Sequence, residues 1–286
     1  MNNSIFNDIK QVFSTKNYLY QIIIVNAVVF IALNLVIALT PKAFSINIIR
    51  ALALPGDITD SLLLFWTYFT YMFTHVRFWH FLMNMLWLYW MGIILIDLYG
   101  QKRLLQLYIY GGLAGGFLYV FSALILPSIS PDSYLIGASA GVMAVMVGIG
   151  FLQPNYKLRL VIFGAVPLKY LALIGFVTST MLDVNLNTGG KIAHVGGGLF
   201  GALFGYYLPR GIDINRPVNN FFESLVTLFK RKPKIKVVHK NKGYQNSSTT
   251  SKQDQAQIDV ILDKISKSGY DSLTKAEKDF LFKFGK

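Results

Sequence analysis

The sequence of 286 residues contains no cysteine, which excludes disulfide bonds, a thiolate nucleophile and cysteine-ligated metal sites. Charged residues are also scarce: they make up 14% of the chain, compared with about 25% in typical soluble domains. Few side chains are therefore available for polar chemistry, and a polar residue inside an apolar stretch is notable.

Apolar residues make up 53% of the chain, and several runs are long enough to cross roughly 30 Å of hydrocarbon. They predict an all-α, polytopic membrane bundle with six transmembrane helices, at about Tyr18–Leu39, Phe78–Leu98, Leu104–Leu126, Gly137–Leu152, Leu158–Leu182 and Lys191–Leu208. The first connection, 42–74, is too rich in apolar and aromatic residues for a water-exposed loop. It is expected to form interfacial or re-entrant helices.

Four regions are expected along the chain. They are a cytoplasmic N-terminal segment (1–17), the membrane domain (18–209), a basic amphipathic linker (210–256) and a small helical hairpin (257–286). A cleavable signal peptide is not expected, because the first apolar run is too long for one. Thr274 and Glu277 form a capping-box pattern that predicts the start of the second tail helix.

The net charge of +13 is unevenly distributed, since 16 of the 27 basic residues follow Pro209. A basic tail beside membrane helices indicates a cytoplasmic flank that contacts anionic lipid, rather than a nucleic-acid partner. With six spans both termini lie on one side. We therefore expect cytoplasmic termini and a site that faces the extracytoplasmic side.

Ser139 lies between small residues at the start of the fourth span, and such a serine is either packing material or a nucleophile. Two other polar groups occupy matching depths in this topology. His80 and Asn84 lie four residues apart on one face of the second span, and His194 lies about one turn into the sixth. All four side chains are expected in the outer third of the bilayer.

These residue types fit nucleophilic catalysis. His194 can take the proton of Ser139, and His80 and Asn84 can donate hydrogen bonds to an oxyanion, together with the backbone N–H of Ser139. The sixth span has no acidic residue beside His194, so the pair would be a dyad rather than a triad. We expect no cofactor and no metal.

The chain resembles the rhomboid intramembrane serine proteases over about Leu62–Tyr207. Three motifs carry the resemblance: His-Phe-Leu-Met-Asn at 80–84, Gly-Ala-Ser at 137–139, and Ala-His-x-x-Gly-x-x-x-Gly at 193–201. The resemblance implies a Ser139/His194 dyad with His80 and Asn84 in the oxyanion site. It also implies six core helices, a re-entrant first loop and cleavage of single-span membrane substrates. His75 matches a further histidine common in the family.

Three positions depart from the family pattern. Thr67 stands where arginine is common, Ala140 where glycine is common, and Met143 where an aromatic residue is common. These departures bear on the rigidity of the first loop and on how substrate gains access, and not on the Ser139/His194 dyad. The alternative function is a catalytically inactive rhomboid-like membrane chaperone or binding protein. A transporter that uses histidine and Lys169 as proton relays is a more distant alternative. The sequence does not identify a partner of the tail.

Overall fold

The computed structural model describes residues 11–14, 17–160, 162–181, 188–220, 224 and 252–284. The chain divides into two compact units, Met1–Leu225 and Val226–Lys286. Most of the predicted N-terminal segment and most of the predicted linker lie outside the described residues.

The first unit is built mainly from helices: α1 (Tyr18–Leu39), α2 (Lys42–Leu52), α3 (Ile58–Leu63), α4 (Thr67–Thr70), α5 (Phe78–Tyr99), α6 (Gln101–Ile125), α7 (Ser139–Leu152), α8 (Leu168–Met181) and α9 (Thr188–Tyr207). Single turns of 3₁₀ helix follow α4 and α9, at Tyr71–Phe73 and Leu208–Arg210. Two short antiparallel pairs lie in the connections: β1 (Leu54–Pro55) with β2 (Tyr134–Leu135), and β3 (Lys157–Leu160) with β4 (Gly164–Pro167).

Helices occur at all six places where spans are predicted. Three of them, α1, α5 and α6, are long and apolar enough to cross a membrane by length and composition. Helices α7 and α8 are apolar but shorter. The chain is thus an integral membrane protein with a helical bundle, while six crossings and a re-entrant first loop stay predictions.

The predicted helix over Leu158–Leu182 is wrong in its first half. Residues Lys157–Leu160 and Gly164–Pro167 pair as a β-hairpin, and only Leu168–Met181 is helical. Two local features explain the difference. Lys157 and Arg159 alternate with Leu158 and Leu160, which is the period of a strand, and Gly164 adopts φ +67 in the turn.

Helix α7 lies at the centre of the bundle, and nearly all of its residues are buried. It runs antiparallel to α6, since Cβ atoms placed on Gly115 and Gly111 would lie 2.6 and 2.0 Å from the Cβ atoms of Ala140 and Ala144. No side chain larger than hydrogen fits at these two glycines. Small residues therefore let the two backbones approach closely.

Helix α9 packs against α7 in parallel and in register. Cβ atoms placed on Gly197 and Gly201 would lie 2.0 and 2.3 Å from the carbonyl oxygens of Ala140 and Ala144, and one on Gly205 would lie 2.7 Å from that of Gly148. Each step is four residues on both helices, as expected for aligned neighbouring faces. This register fixes which residues of the two helices share a level.

The second unit contains α10 (Lys252–Ser268) and α11 (Lys275–Phe284), joined through a 3₁₀ turn at Tyr270–Ser272. The predicted capping box is confirmed: Thr274 N donates to Glu277 Oε2 at 2.7 Å, and Glu277 N donates to Thr274 Oγ1 at 3.4 Å. Glu277 also accepts from Lys264 Nζ of α10 at 2.9 Å, which ties the two helices together.

Candidate active site

The N-terminal parts of α5, α7 and α9 meet at one end of the bundle. Their other ends also share a level, because Gln153 beyond α7 donates to Tyr99 Oη at the end of α5 (2.8 Å). Ser139 is the first residue of α7, His80 lies in the first turn of α5, and His194 lies in the second turn of α9. The structure therefore brings the three motifs to one level of the bundle.

The backbone before Ser139 is held by two hydrogen bonds from the segment that precedes α5. Gly137 N donates to Tyr71 O at 2.9 Å, and Ala138 N donates to His75 Nε2 at 3.2 Å. Gly137 itself has φ +117, a backbone conformation that favours glycine. The loop that carries the serine is thus anchored at two consecutive residues.

His75 is a structural anchor whose partner the sequence does not reveal. Its side chain is fully buried, and its ring lies edge-on to that of His80, with 5.2 Å between centroids. Because Nε2 accepts from Ala138, the proton of the neutral ring belongs on Nδ1. Burial, together with the neighbouring His80, lowers the pKa of His75, in the connection before α5, to about 3. The ring is therefore neutral and stays an acceptor.

The ring of His80 packs directly on Gly137. A Cβ placed on this glycine would lie 2.5 Å from His80 Cε1 and 3.0 Å from its Nε2. The Cε1–Nε2 edge of the imidazole therefore contacts a residue that lies two positions before Ser139 in the sequence. A side chain at position 137 would displace it.

Asn84 is buried one turn below His80 and donates through Nδ2 to the carbonyl oxygen of His80 at 2.7 Å. The amide has two hydrogens on Nδ2, and this bond uses one. The bond fixes the orientation of the side chain on the face of α5 that carries His80.

His194 is oriented from α8. Its Nδ1 lies 3.2 Å from the carbonyl oxygen of Ser179, which can only accept, so Nδ1 carries the proton. Nε2 is then the ring atom able to accept a proton. The contacts of the described residues do not include a direct hydrogen bond between the Ser139 hydroxyl and the His194 ring. The two residues lie at one level because α7 and α9 pack in register.

The approach of α7 and α9 at this level depends on two glycines, Gly115 and Gly197. A Cβ on Gly115 of α6 would lie 2.6 Å from both Ala140 Cβ and Ala193 O, and one on Gly197 would overlap the backbone of Ala140. Ala140 and Ala193 are the immediate neighbours of Ser139 and His194. The glycines thus control the separation of the two candidate catalytic residues.

Among the described residues, no three histidine, aspartate or glutamate side chains cluster in a way that could hold a metal ion. The polar groups at this end of the bundle are a hydroxyl, imidazoles and an amide.

The Rhomboid domain profile matches residues 64–211. This range contains all the candidate site residues, namely His75, His80, Asn84, Ser139 and His194. The chain belongs to the Rhomboid family. It is similar to Rhomboid protein 1, mitochondrial, of Saccharomyces cerevisiae (28% identical over 148 residues) and to RHOMBOID-like protein 12, mitochondrial, of Arabidopsis thaliana (31% over 150 residues). The matches cover 50% and 48% of this chain, and 42% and 44% of the two relatives. A family of unknown function, DUF6576, matches residues 247–286.

Two of the departures from the Rhomboid pattern have local partners. Thr67 is fully buried and donates through Oγ1 to Leu64 O at 2.6 Å, while Trp66 Nε1 donates to Ala51 O at 2.9 Å. This Rhomboid chain thus anchors its first connection with neutral hydrogen bonds where arginine is common. Ala140 is buried between Gly115 and Gly197, where a larger residue would not fit.

Proposed function

We propose that this chain is a serine endopeptidase that cleaves single-span membrane proteins within the bilayer, with Ser139 as nucleophile and His194 as general base. The proposal rests on one observation above others. The Nδ1–H of His194 is directed to Ser179 O, which leaves Nε2 to accept a proton, on a helix packed in register against the one that begins at Ser139.

The chemistry follows the usual course of acyl transfer. His194 Nε2 takes the Ser139 proton as Oγ attacks the scissile carbonyl, and the resulting imidazolium gives that proton to the leaving amine. Water then hydrolyses the acyl-enzyme with the same histidine as base. The carbonyl of Ser179 plays the part of the third group that orients the base.

The oxyanion of the tetrahedral intermediate requires fixed donors. His80 lies against Gly137, Asn84 lies one turn further along α5 with a second Nδ2 hydrogen, and Ser139 supplies a backbone N–H at the start of α7. We assign these three groups to the oxyanion site. Donors fixed at these positions would stabilise the oxyanion without rearranging when the charge develops.

For the topology, we propose six crossings with both termini in the cytoplasm and the site towards the extracytoplasmic side. We also propose a re-entrant first connection and the domain division 1–17, 18–209, 210–256 and 257–286. The shared level of the α5, α7 and α9 N-terminal ends supports it, because most basic residues near these helices lie at the opposite ends. The opposite ends carry Lys102, Arg103, Lys157, Arg159 and Arg210, against Arg77 and Lys191 at the N-terminal ends.

The test uses the purified full chain with a single-span substrate and a fluorophosphonate probe. Wild type should cleave the substrate and take up the probe, and Ser139→Ala should do neither. Ser122→Ala, which changes another buried serine in α6, is the matched control and should behave as wild type. Folded wild type that binds substrate but neither cleaves it nor reacts with the probe would instead support the inactive chaperone.

A further inference from the structure

An apolar groove lies between α7, α8 and α9, and one of its lining residues, Val195, is adjacent to His194 in the sequence. Its cavity volume is about 620 Å³, within the roughly 300–1,000 Å³ typical of ligand pockets. Its walls include Phe151 of α7, Leu173 and Phe176 of α8, and Leu199 and Ala202 of α9. Neither Ser139 nor His80 lines it.

At two of the places where α8 approaches its neighbours along this groove, the contact involves a glycine. A Cβ on Gly150 would lie 2.6 Å from Ala172 Cβ, and one on Gly198 would lie 2.6 Å from the Phe176 ring. Between these contacts the helices leave an open, apolar space. A space of this shape suits a hydrocarbon chain, since it offers area without hydrogen-bonding groups.

A cluster of positive charge lies at one end of this space. Lys169 lines the groove and is solvent-exposed, with Nζ 3.2 Å from Asn155 Oδ1. Lys157 pairs with Pro167 in the hairpin, only two residues from Lys169, and Arg159 follows about 7 Å further along the strand. From Pro154 to Met181 the sequence carries these three basic residues and no acidic residue. The charge is therefore uncompensated within this segment.

The hairpin also carries features of a membrane interface. Ile162 and Phe163 beside its turn are 84% and 76% exposed, and Tyr156 and Tyr170 are exposed near Lys169. Aromatic and basic side chains of this kind are enriched at the level of lipid headgroups. The end of the groove that carries Lys169 therefore matches the depth of a headgroup, and the apolar part extends towards the bilayer interior.

We propose that this groove binds an anionic glycerophospholipid, with one acyl chain between α8 and α9 and the phosphate beside Lys169, Lys157 and Arg159. Charge complementarity selects an anionic lipid over a zwitterionic one. The occupied groove would brace α8, the helix whose Ser179 carbonyl holds His194. The binding itself does not depend on the proposed peptidase activity.

The experiment measures lipid binding to the full chain in detergent by native mass spectrometry. Phosphatidylglycerol and phosphatidylcholine with identical acyl chains are titrated separately. Wild type should bind one phosphatidylglycerol at least tenfold more tightly than phosphatidylcholine. Lys169→Gln should weaken phosphatidylglycerol binding about fivefold, and Lys157→Gln/Arg159→Gln about 25-fold, from roughly 1 kcal/mol per cation.

Three controls separate the groove from general surface charge. Lys102→Gln removes an exposed cation from the first turn of α6 and should bind as wild type. Ala202→Phe fills the groove without changing charge and should lower affinity at least fivefold, with circular dichroism as the folding control. Glycerol 1-phosphate, which is the headgroup fragment without acyl chains, should not compete.

Several results would overturn the proposal. One is equal affinity for phosphatidylglycerol and phosphatidylcholine. Another is wild-type affinity for phosphatidylglycerol in Lys169→Gln and in Lys157→Gln/Arg159→Gln. A third is a loss of affinity in Lys102→Gln as large as that in Lys169→Gln. Full competition by glycerol 1-phosphate, or unchanged binding by folded Ala202→Phe, would show that the groove holds no chain. If Ala202→Phe does not fold, the three lysine and arginine substitutions still decide, because they lie on the surface.

Discussion

The Nε2 atom of His75 accepts a hydrogen bond from the backbone nitrogen of Ala138, 63 residues away and adjacent to Ser139. The contact makes His75 a positioning residue: it holds the peptide that leads into the nucleophile. Together with Gly137 N to Tyr71 O, it ties the start of α7 to the segment before α5.

Loss of the His75 acceptor should lower turnover without changing the pH profile. His75→Ala leaves the buried Ala138 N–H without a partner, at a cost of about 1–3 kcal/mol, and should reduce both kcat and thermal stability. Because the pKa of His75 lies near 3, the ring is neutral at every pH from 5 to 9 and adds no titration there. His75→Gln, which keeps an acceptor, should recover part of the activity. A profile that shifts in His75→Gln would assign this residue a proton-transfer role instead.

Gly137→Ala should abolish cleavage, because the new Cβ would lie 2.5 Å from His80 Cε1 and φ is +117. Gly100→Ala is the matched control: it also has positive φ, at +82, but no atom lies within 4 Å of its Cβ position. With φ +82 and ψ 164, Gly100 lies in a region that is nearly restricted to glycine, so the control should lose about 1–3 kcal/mol of stability while its cleavage rate stays near wild type. The cleavage rate and thermal stability of both variants show whether the loss of cleavage comes from the steric contact with His80 or from backbone strain.

His194→Asn should abolish cleavage and leave the fold intact, because asparagine keeps polarity but cannot take the serine proton. Wild-type cleavage should rise with pH through one titration and then hold, as expected for a base that must be neutral. The measurement is cleavage rate against pH for both proteins, with melting temperature as the folding control. Substantial cleavage by folded His194→Asn would exclude this histidine as the base.

His80→Ala and Asn84→Ala should each lower kcat by about 10²–10³ with little change in KM, as for a lost oxyanion donor. Asn84→Ala also removes the bond to His80 O, which is a helix-internal contact. Asn34, which makes the same i to i−4 bond to Phe30 O in α1, offers a control for that loss. If Asn84→Ala and Asn34→Ala lower kcat equally, the oxyanion role of Asn84 is wrong.

The tail hairpin should loosen in acid. Hydrogen bonds from Lys264, and then from Thr274, lower the pKa of Glu277 from 4.5 to about 2. A depressed folded-state pKa means that the stabilisation is present above the unfolded pKa and is lost as the pH falls from about 5 towards 2. Hydrogen exchange over residues 252–284 of the full chain should therefore differ between wild type and Glu277→Gln at pH 6 and converge near pH 2.

The control for the tail is Asp263→Asn, which breaks the exposed pair with Lys267. Both side chains of that pair are largely exposed, at 65% and 72%, so little stability is expected from it. Exchange in Asp263→Asn should match wild type at both pH values. An equal effect of the two substitutions would indicate a general charge effect rather than the Lys264–Glu277–Thr274 contact.

The sequence was sufficient for features that depend on local pattern. Long apolar runs predicted a helix at each of six places, with Tyr18–Leu39 correct at both ends, because Asn17 caps its start and Pro41 follows its end. The capping box at Thr274 is likewise a contact within one turn. The resemblance to the family could be recognised from three short motifs, because each motif consists of residue types at fixed spacing and needs no structural information.

Tertiary structure decided the features that depend on contacts between distant residues. The β3–β4 hairpin is not one of these features, because its strands are close in sequence and the alternation of Lys157–Leu160 is a local signal that overall hydropathy does not reveal. The direction of the His194 ring depends on Ser179 of another helix, and the role of His75 depends on Ala138. Such hydrogen bonds form only after helices pack, so no local pattern predicts them.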